Sequence, residues 1–236
     1  MWKIINIVQL LLIVVVNIPL ILIALVIGVF SRKAMKWYAM YIWSKFLLLI
    51  VGASVKIEGK EKLNKDNSAI YVANHSSHFD IPVLFNKMGF FLHFIAKIEL
   101  KKIPLFGWGC SMVDIIWIDR KNKIKAQQSM HEAGEHIRKG LNVISFPEGT
   151  RSKTGEIGMF RRGSFMLAQQ ANVDVVPLYL KGTRKLNPPG TMSFRPSKVT
   201  IVVGDRLPIE GYKNHSPEEF ANEVQMIVKK MEEEYS

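Results

Sequence analysis

The hydrophobic pattern changes character near residue 53. Before it, residues 4–30 carry no charged side chain. A helix of that length, at about 1.5 Å per residue, reaches roughly 40 Å and exceeds a hydrocarbon core of about 30 Å. The apolar run is too long for a secretory signal and lacks small cleavage-site residues ahead of Arg32 and Lys33. Within it, Asn6, Gln9, Asn17 and Pro19 mark a turn or a contact with protein. The next stretch, WYAMYIWSKFLLLIVGA (37–53), is dense in aromatics and interrupted by Lys45. It reads as a helix lying among lipid headgroups rather than as a second span.

After Ala53 the apolar residues fall into short β-branched or aromatic runs. These predict strands at 55–59, 69–73, 91–96, 114–119, 142–146, 174–180 and 198–203. Helical patterns occupy 123–139 and 163–171, and a last helix follows Ser216, with Pro217 in its first turn and Glu219 completing a capping box. Strands alternating with helices predict an α/β fold, a mixed and largely parallel sheet flanked by helices. The expected organisation is a membrane-associated two-helix segment, 1–53, followed by one α/β domain, 54–236.

Charge then narrows the partners. Lys and Arg number 32 against 20 Asp and Glu, a formal charge of +12, which favours nucleic acid, an anionic bilayer or a phosphorylated ligand. Residues 1–53 contain Lys3, Arg32, Lys33, Lys36 and Lys45 and no acid, so that segment is drawn to anionic lipid. Arg32, Lys33 and Lys36 place their end of the helix on the cytoplasmic side. With no zinc-finger spacing, arginine-rich arm or basic helix, no nucleic acid is expected as partner. The single cysteine, Cys110, excludes an intramolecular disulfide and reads as a small buried residue.

The stretch NHSSHFD (74–80) concentrates the candidate chemistry, directly after the strand 69–73. His93, His131, His136 and His215 show no ligand spacing that would complete a metal site. The nearest match to a serine-hydrolase elbow, GCSMV (109–113), lacks its closing glycine. On spacing alone, Asp80 caps a helix that has Pro82 in its first turn and runs to about Met88, and His75 is a turn residue. The alternative is a dyad in which Asp80 fixes the His75 tautomer and leaves the other ring nitrogen as a base. The phenylalanines 79, 85, 90, 91 and 94 read mainly as core, with an acyl groove as the second possibility.

Four ordered blocks resemble those of the glycerolipid acyltransferases, the family of 1-acylglycerol-3-phosphate acyltransferases. NHSSHFD is similar to its N-H-x4-D block, WIDR (117–120) to its F-I-D-R, FPEGTRS (146–152) to its F-P-E-G-T-R-S, and VPL (176–178) to its short V-P block. The resemblance runs from about 55 to 205. It implies acyl transfer from an acyl-CoA or acyl-carrier-protein thioester to the free hydroxyl of lysophosphatidic acid, giving phosphatidic acid, with no cofactor and no metal. His75 would be the base and Asp80 its orienting carboxylate. Arg120, Glu148, Gly149, Thr150, Arg151 and, from FRRGS (160–164), Arg161 would bind the substrate phosphate, with Glu148 and Gly149 holding the loop. The catalytic domain is expected on the cytoplasmic face of a bacterial inner membrane. Within the class, glycerol 3-phosphate or another lysolipid is the alternative acceptor. Outside it stand a lipid hydrolase and a non-catalytic membrane-binding protein.

Overall fold

The structure is a computed structural model that describes residues 2–119 and 123–235. In chain order it runs α1 (Trp2–Phe30), α2 (Arg32–Tyr38), a π-helical stretch Ala39–Trp43, α3 (Ser44–Ile50), β1 (Ala53–Glu58), β2 (Ala69–Ala73), α4 (Asp80–Lys87) and β3 (His93–Lys97). It continues with α5 (Phe106–Met112), β4 (Ile116–Ile118), α6 (Lys123–Arg138), β5 (Val143–Ser145), α7 (Gly163–Ala171), β6 (Asp174–Lys181), α8 (Thr183–Leu186), β7 (Ser197–Val203) and α9 (Pro217–Tyr235). Every strand the apolar runs predict is present. The capping box also forms: Ser216 N donates to Glu219 Oε2 at 2.8 Å, and Glu219 N donates to Ser216 Oγ at 3.2 Å. Helices α5 and α8 were not legible. FGWGCSM carries two glycines, poor helix formers, and α5 is held by packing against α1.

The strands form one sheet in the order β1-β7-β6-β2-β5-β3-β4. Strands β6, β2, β5, β3 and β4 pair in parallel, while β7 meets β6 antiparallel and carries β1 parallel to itself. The sheet is therefore mixed and largely parallel. Side-chain alternation sorts the core into two layers. Ile70 and Val72 of β2, with Val175 and Tyr179 of β6, face α6, α7 and α9. Ala69, Tyr71 and Ala73, with Val176, Leu178 and Leu180, face α3 and α4.

The N-terminal helices pack on this second layer. One stripe of α1 touches protein along the helix: Asn6 donates to Ser193 Oγ and accepts from Phe194 N, Gln9 donates to Ile50 O, and Asn17 accepts from Trp43 Nε1 at 2.7 Å. Ala24 and Gly28 are buried further on. The polar residues in the apolar run are thus protein contacts. The rest of α1 is open, with Ile4, Leu11, Val15, Val26 and Phe30 exposed. Only 11% of its apolar stretch is buried, which separates it from a core helix and leaves it to lipid. The second N-terminal stretch, expected among lipid headgroups, has two faces. Trp37, Tyr41, Phe46 and Leu49 are exposed, but Met35, Tyr38, Met40, Leu47 and Leu48 are buried, so this run is also a wall of the core.

Candidate active site

Three parallel strands end side by side. The register pairs Val72 of β2 with Ser145 of β5, and Ala73 with Leu178 of β6. The loops leaving their C-terminal ends therefore emerge together, at the edge where α/β sheets place their sites. The loop after β2 carries His75, and α4 begins at Asp80. His75 Nδ1 lies 2.6 Å from Asp80 Oδ2, which also accepts from the amides of Ser76 at 2.9 Å and Ser77 at 3.0 Å. One fully buried carboxylate oxygen thus gathers three donors. The amides it takes precede the helix, so Asp80 ties down the loop rather than capping its own helix, whose N-cap Phe79 has no side-chain bond. With Nδ1 engaged by an acceptor, Nε2 is the free acceptor nitrogen.

The histidine is fixed from several sides. Phe146, leaving β5, stacks on the imidazole with ring centroids 4.2 Å apart. Glu148 clamps two loops: Oε1 accepts from His75 N at 2.8 Å and Oε2 from Gly158 N at 3.1 Å. Burial pushes the Glu148 carboxyl above its ordinary value, with the two amides pulling the other way. Gly149 turns the loop at φ 74°, a left-handed conformation that suits glycine. Ser152 N donates to His75 O at 2.8 Å. Asn74 pairs through its amide with both backbone groups of Leu180, and Ser76 Oγ meets Thr183 Oγ1 at 2.9 Å.

Two cavities adjoin this constellation. The larger, about 830 Å³, runs from His75, Ser77 and His78 between α4, α5 and the N-terminal helices. Its walls are apolar: Phe79, Phe85, Phe91 and Phe94 line it, with Ile13, Ile21 and Ala24 of α1 and Cys110 of α5. Four of the five phenylalanines expected mainly as core thus also form a groove, while Phe90 packs on Tyr71. The smaller cleft, about 290 Å³, is built by Glu148, Thr150, Arg151, Ser152 and Lys153 with the 154–159 loop. Arg151 lines both cavities, and its Nη1 is buried without a protein partner. Desolvation, and then the Arg151 charge, hold His78 below the ordinary imidazole pKa. Burial pushes the Cys110 thiol up to about 12.

The structure thus brings His75, Asp80, Glu148, Gly149, Thr150 and Arg151 together. The Arg161 side chain is exposed and lines neither cavity; position 161 reaches the site through its amide, which donates to Pro147 O at 3.0 Å. Arg120 lies outside the described residues. Phe146, Thr183 and the α1 wall were missed. Phe146 opens a motif that sequence reasoning had already marked, whereas Thr183 and α1 are brought in by long-range packing without a local signal. Among the described residues, no three His, Cys, Asp or Glu side chains stand close enough to share a metal ion.

Comparison with known proteins identifies the family and the fold. The family described as Acyltransferase matches residues 54–181. The chain is 37% identical over 161 residues to the chloroplastic 1-acyl-sn-glycerol-3-phosphate acyltransferase LPAT1 of Arabidopsis thaliana, covering 67% of this chain and 44% of that protein. It is 30% identical over 192 residues to the Saccharomyces cerevisiae 1-acyl-sn-glycerol-3-phosphate acyltransferase, covering 80% of this chain and 63% of the relative. It therefore spans about half the length of these relatives. The crystal structure of the 1-acyl-sn-glycerophosphate (LPA) acyltransferase PlsC from Thermotoga maritima superposes with a TM-score of 0.84 at 31% identity, covering 100% of this chain and 98% of that one. With the family model matching residues 54–181, and NHSSHFD and FPEGTRS meeting at one sheet edge, the chain belongs to the acyltransferase family.

Proposed function

We propose that the protein transfers an acyl group from a thioester donor to the free hydroxyl of 1-acylglycerol 3-phosphate, giving phosphatidic acid. The observation that carries this reading is the placement of the His75–Asp80 pair, with Nδ1 and Oδ2 2.6 Å apart, where the apolar cavity meets Arg151. An acyl chain fits the apolar side. A phosphate fits Arg151, whose planar fork matches its oxygens, with Thr150 and the cleft beside it. The names of the relatives point the same way.

His75 Nε2 takes the hydroxyl proton as the oxygen attacks the thioester carbonyl, and the buried Asp80 carboxylate stabilises the imidazolium. The tetrahedral centre collapses, the C–S bond breaks, and the departing thiolate takes the proton from the imidazolium, directly or through water, leaving as the thiol. No enzyme nucleophile is required, and Cys110, uncharged at neutral pH, does not offer one. Either coenzyme A or acyl carrier protein can supply the thioester, and no resident cofactor or metal is invoked.

The contacts of α1 bear on how the protein meets its membrane. They run from Asn6 to Gly28 on one side of a helix about 44 Å long, so the α/β body lies alongside α1 rather than beyond its end. A perpendicular crossing would carry the part of the body packed along the middle of α1, such as Trp43 on Asn17, through hydrocarbon and Arg195 to its far side, at high cost. We infer that α1 immerses its open face in one leaflet, with the site at the cytoplasmic membrane surface, that of the inner membrane in a bacterium.

The test is an assay of detergent-purified protein with labelled acyl-CoA or acyl carrier protein and lysophosphatidate, glycerol 3-phosphate or no acceptor. The expected result is transfer to lysophosphatidate that collapses in His75→Ala. Equal activity in both proteins would remove the base assignment. Preference for glycerol 3-phosphate would change the acceptor, and equal label release without acceptor would favour hydrolysis.

A further inference from the structure

A corner far from the first helix in sequence presents a second apolar surface. Between β3 and α5 the chain reads KIELKKIPLFGW (97–108), with Leu100 38%, Ile103 46% and Trp108 61% exposed. Large apolar side chains left in water on one short corner need an occupant. The corner is rigid. Ile103 N donates to Leu100 O, Gly107 N to Ile103 O and Gly109 N to Leu105 O. Leu105 sits at φ 62°, and a Cβ on Gly107 would fall 2.0 Å from Lys101 O. The exposed side chains are therefore held outward by a backbone that cannot fold them away.

Three features identify the occupant. First, exposed Lys97, Lys101 and Lys102 stand against the single Glu99, a cationic collar around apolar tips that suits the headgroups of an anionic bilayer. Second, α5 packs on α1, and a Cβ on Gly109 would lie 3.6 Å from Met35 Cε and 3.9 Å from Leu25 Cδ2. The corner thus continues the surface of α1 that already faces lipid. Third, the inner side of the same corner, through Leu100, Leu105 and Phe106, walls the large cavity.

We propose that residues 97–108 form a second membrane-inserting element, which dips Leu100, Ile103 and Trp108 into an anionic leaflet at the mouth of the apolar cavity. Together with α1 it gives the domain two points of immersion, which fixes its tilt and brings the cavity opening to the acyl-chain level. An anchor confined to the N-terminal segment leaves the body free to rock about it; a further wedge on the α5 side removes that freedom.

The test uses the full chain in a Cys110→Ser background with an environment-sensitive fluorophore at Ile103→Cys or, as control, at Lys229→Cys. Lys229 is exposed on α9, on the opposite face of the sheet. The protein is reconstituted in vesicles of phosphatidylcholine and phosphatidylglycerol in equal parts, doped with nitroxide-labelled phospholipid. The label at 103 is expected to shift to the blue and be quenched, and the label at 229 to stay in water. Equal accessibility of the two positions to nitroxide overturns the proposal. This reading needs no turnover, so it fails or stands independently of the assigned reaction. As a second measurement, a double Ile103→Glu, Trp108→Glu variant should keep its rate in detergent micelles and lose about tenfold or more on vesicles, since neither side chain lines the cavity. An unchanged vesicle rate overturns the proposal equally.

Discussion

Replacing Asp80 with asparagine separates the two roles its carboxylate plays. Oδ2 accepts from His75 Nδ1 and from the Ser76 and Ser77 amides. The carbonyl oxygen of the substituted carboxamide can take all three, because three donors select oxygen over NH2 for that position. The new NH2 then falls where Oδ1 now lies, buried without a protein partner. An unpaired buried amide costs about 1–3 kcal/mol, so Asp80→Asn should fold with a modestly lower Tm and keep His75 in its tautomer. What disappears is the negative charge beside the imidazolium. With charge centres roughly 4 Å apart and an effective dielectric near 20, that attraction is about 4 kcal/mol, or about a thousandfold in kcat. Asp80→Ala loses the acceptor as well and should be much less stable. The assay is initial rate at saturating donor and acceptor, with Tm and near-ultraviolet circular dichroism on the same sample. A folded Asp80→Asn protein within tenfold of wild type would show that the carboxylate only orients the ring, and the imidazolium argument would be wrong.

Glu148→Gln offers one acceptor and one donor where His75 N and Gly158 N both need acceptors, so stability should fall by about 1–3 kcal/mol and kcat more than KM, as read by thermal melts and steady-state kinetics. Ala24→Phe, placed in the wall of the apolar cavity, should shorten the acyl chain accepted, measured by competition between donors of different length; an unchanged length profile would separate this cavity from the acyl chain. His93 is buried with Nδ1 3.1 Å from Asp114 O, and burial first, then Lys36, push its pKa down to about 4. The unfolded chain therefore binds more protons than the native one between about pH 6.5 and 4, and stability falls as pH is lowered through that window. Denaturant melts of wild type should show this slope, and those of His93→Gln should show less of it.

The strands were legible because β-branched runs in a two-sided sheet need no alternation to be seen, and β2 and α7 match their expected limits to the residue. His75, Asp80 and the FPEGTRS loop were legible as a site through their resemblance to the family's blocks; spacing alone left Asp80 a cap and His75 a turn residue. What the sequence hid is carried by distance along the chain. Helix α5 forms from glycine-rich sequence with α1 and the 98–102 turn packed against it, and the cavity walls come from α1, α4 and α5 at once. Asp80 was ambiguous for a different reason: a carboxylate at a helix start can bond forward into the helix or back into the loop. Spacing does not say which, and here the Ser76 and Ser77 amides take it back.

The bonds from Asn6 to Ser193, Phe194 and Arg195 close a separation of 187 to 189 residues. During synthesis α1 leaves the ribosome before these partners and can settle in lipid at once, while they follow only after 187 to 189 further residues. The apolar cavity is therefore sealed late, by a contact of very long loop closure. A chain interrupted before residue 190 would reach the membrane with its anchor intact and its cavity unsealed. Attachment of α1 to the membrane therefore does not report that the cavity beneath it has closed.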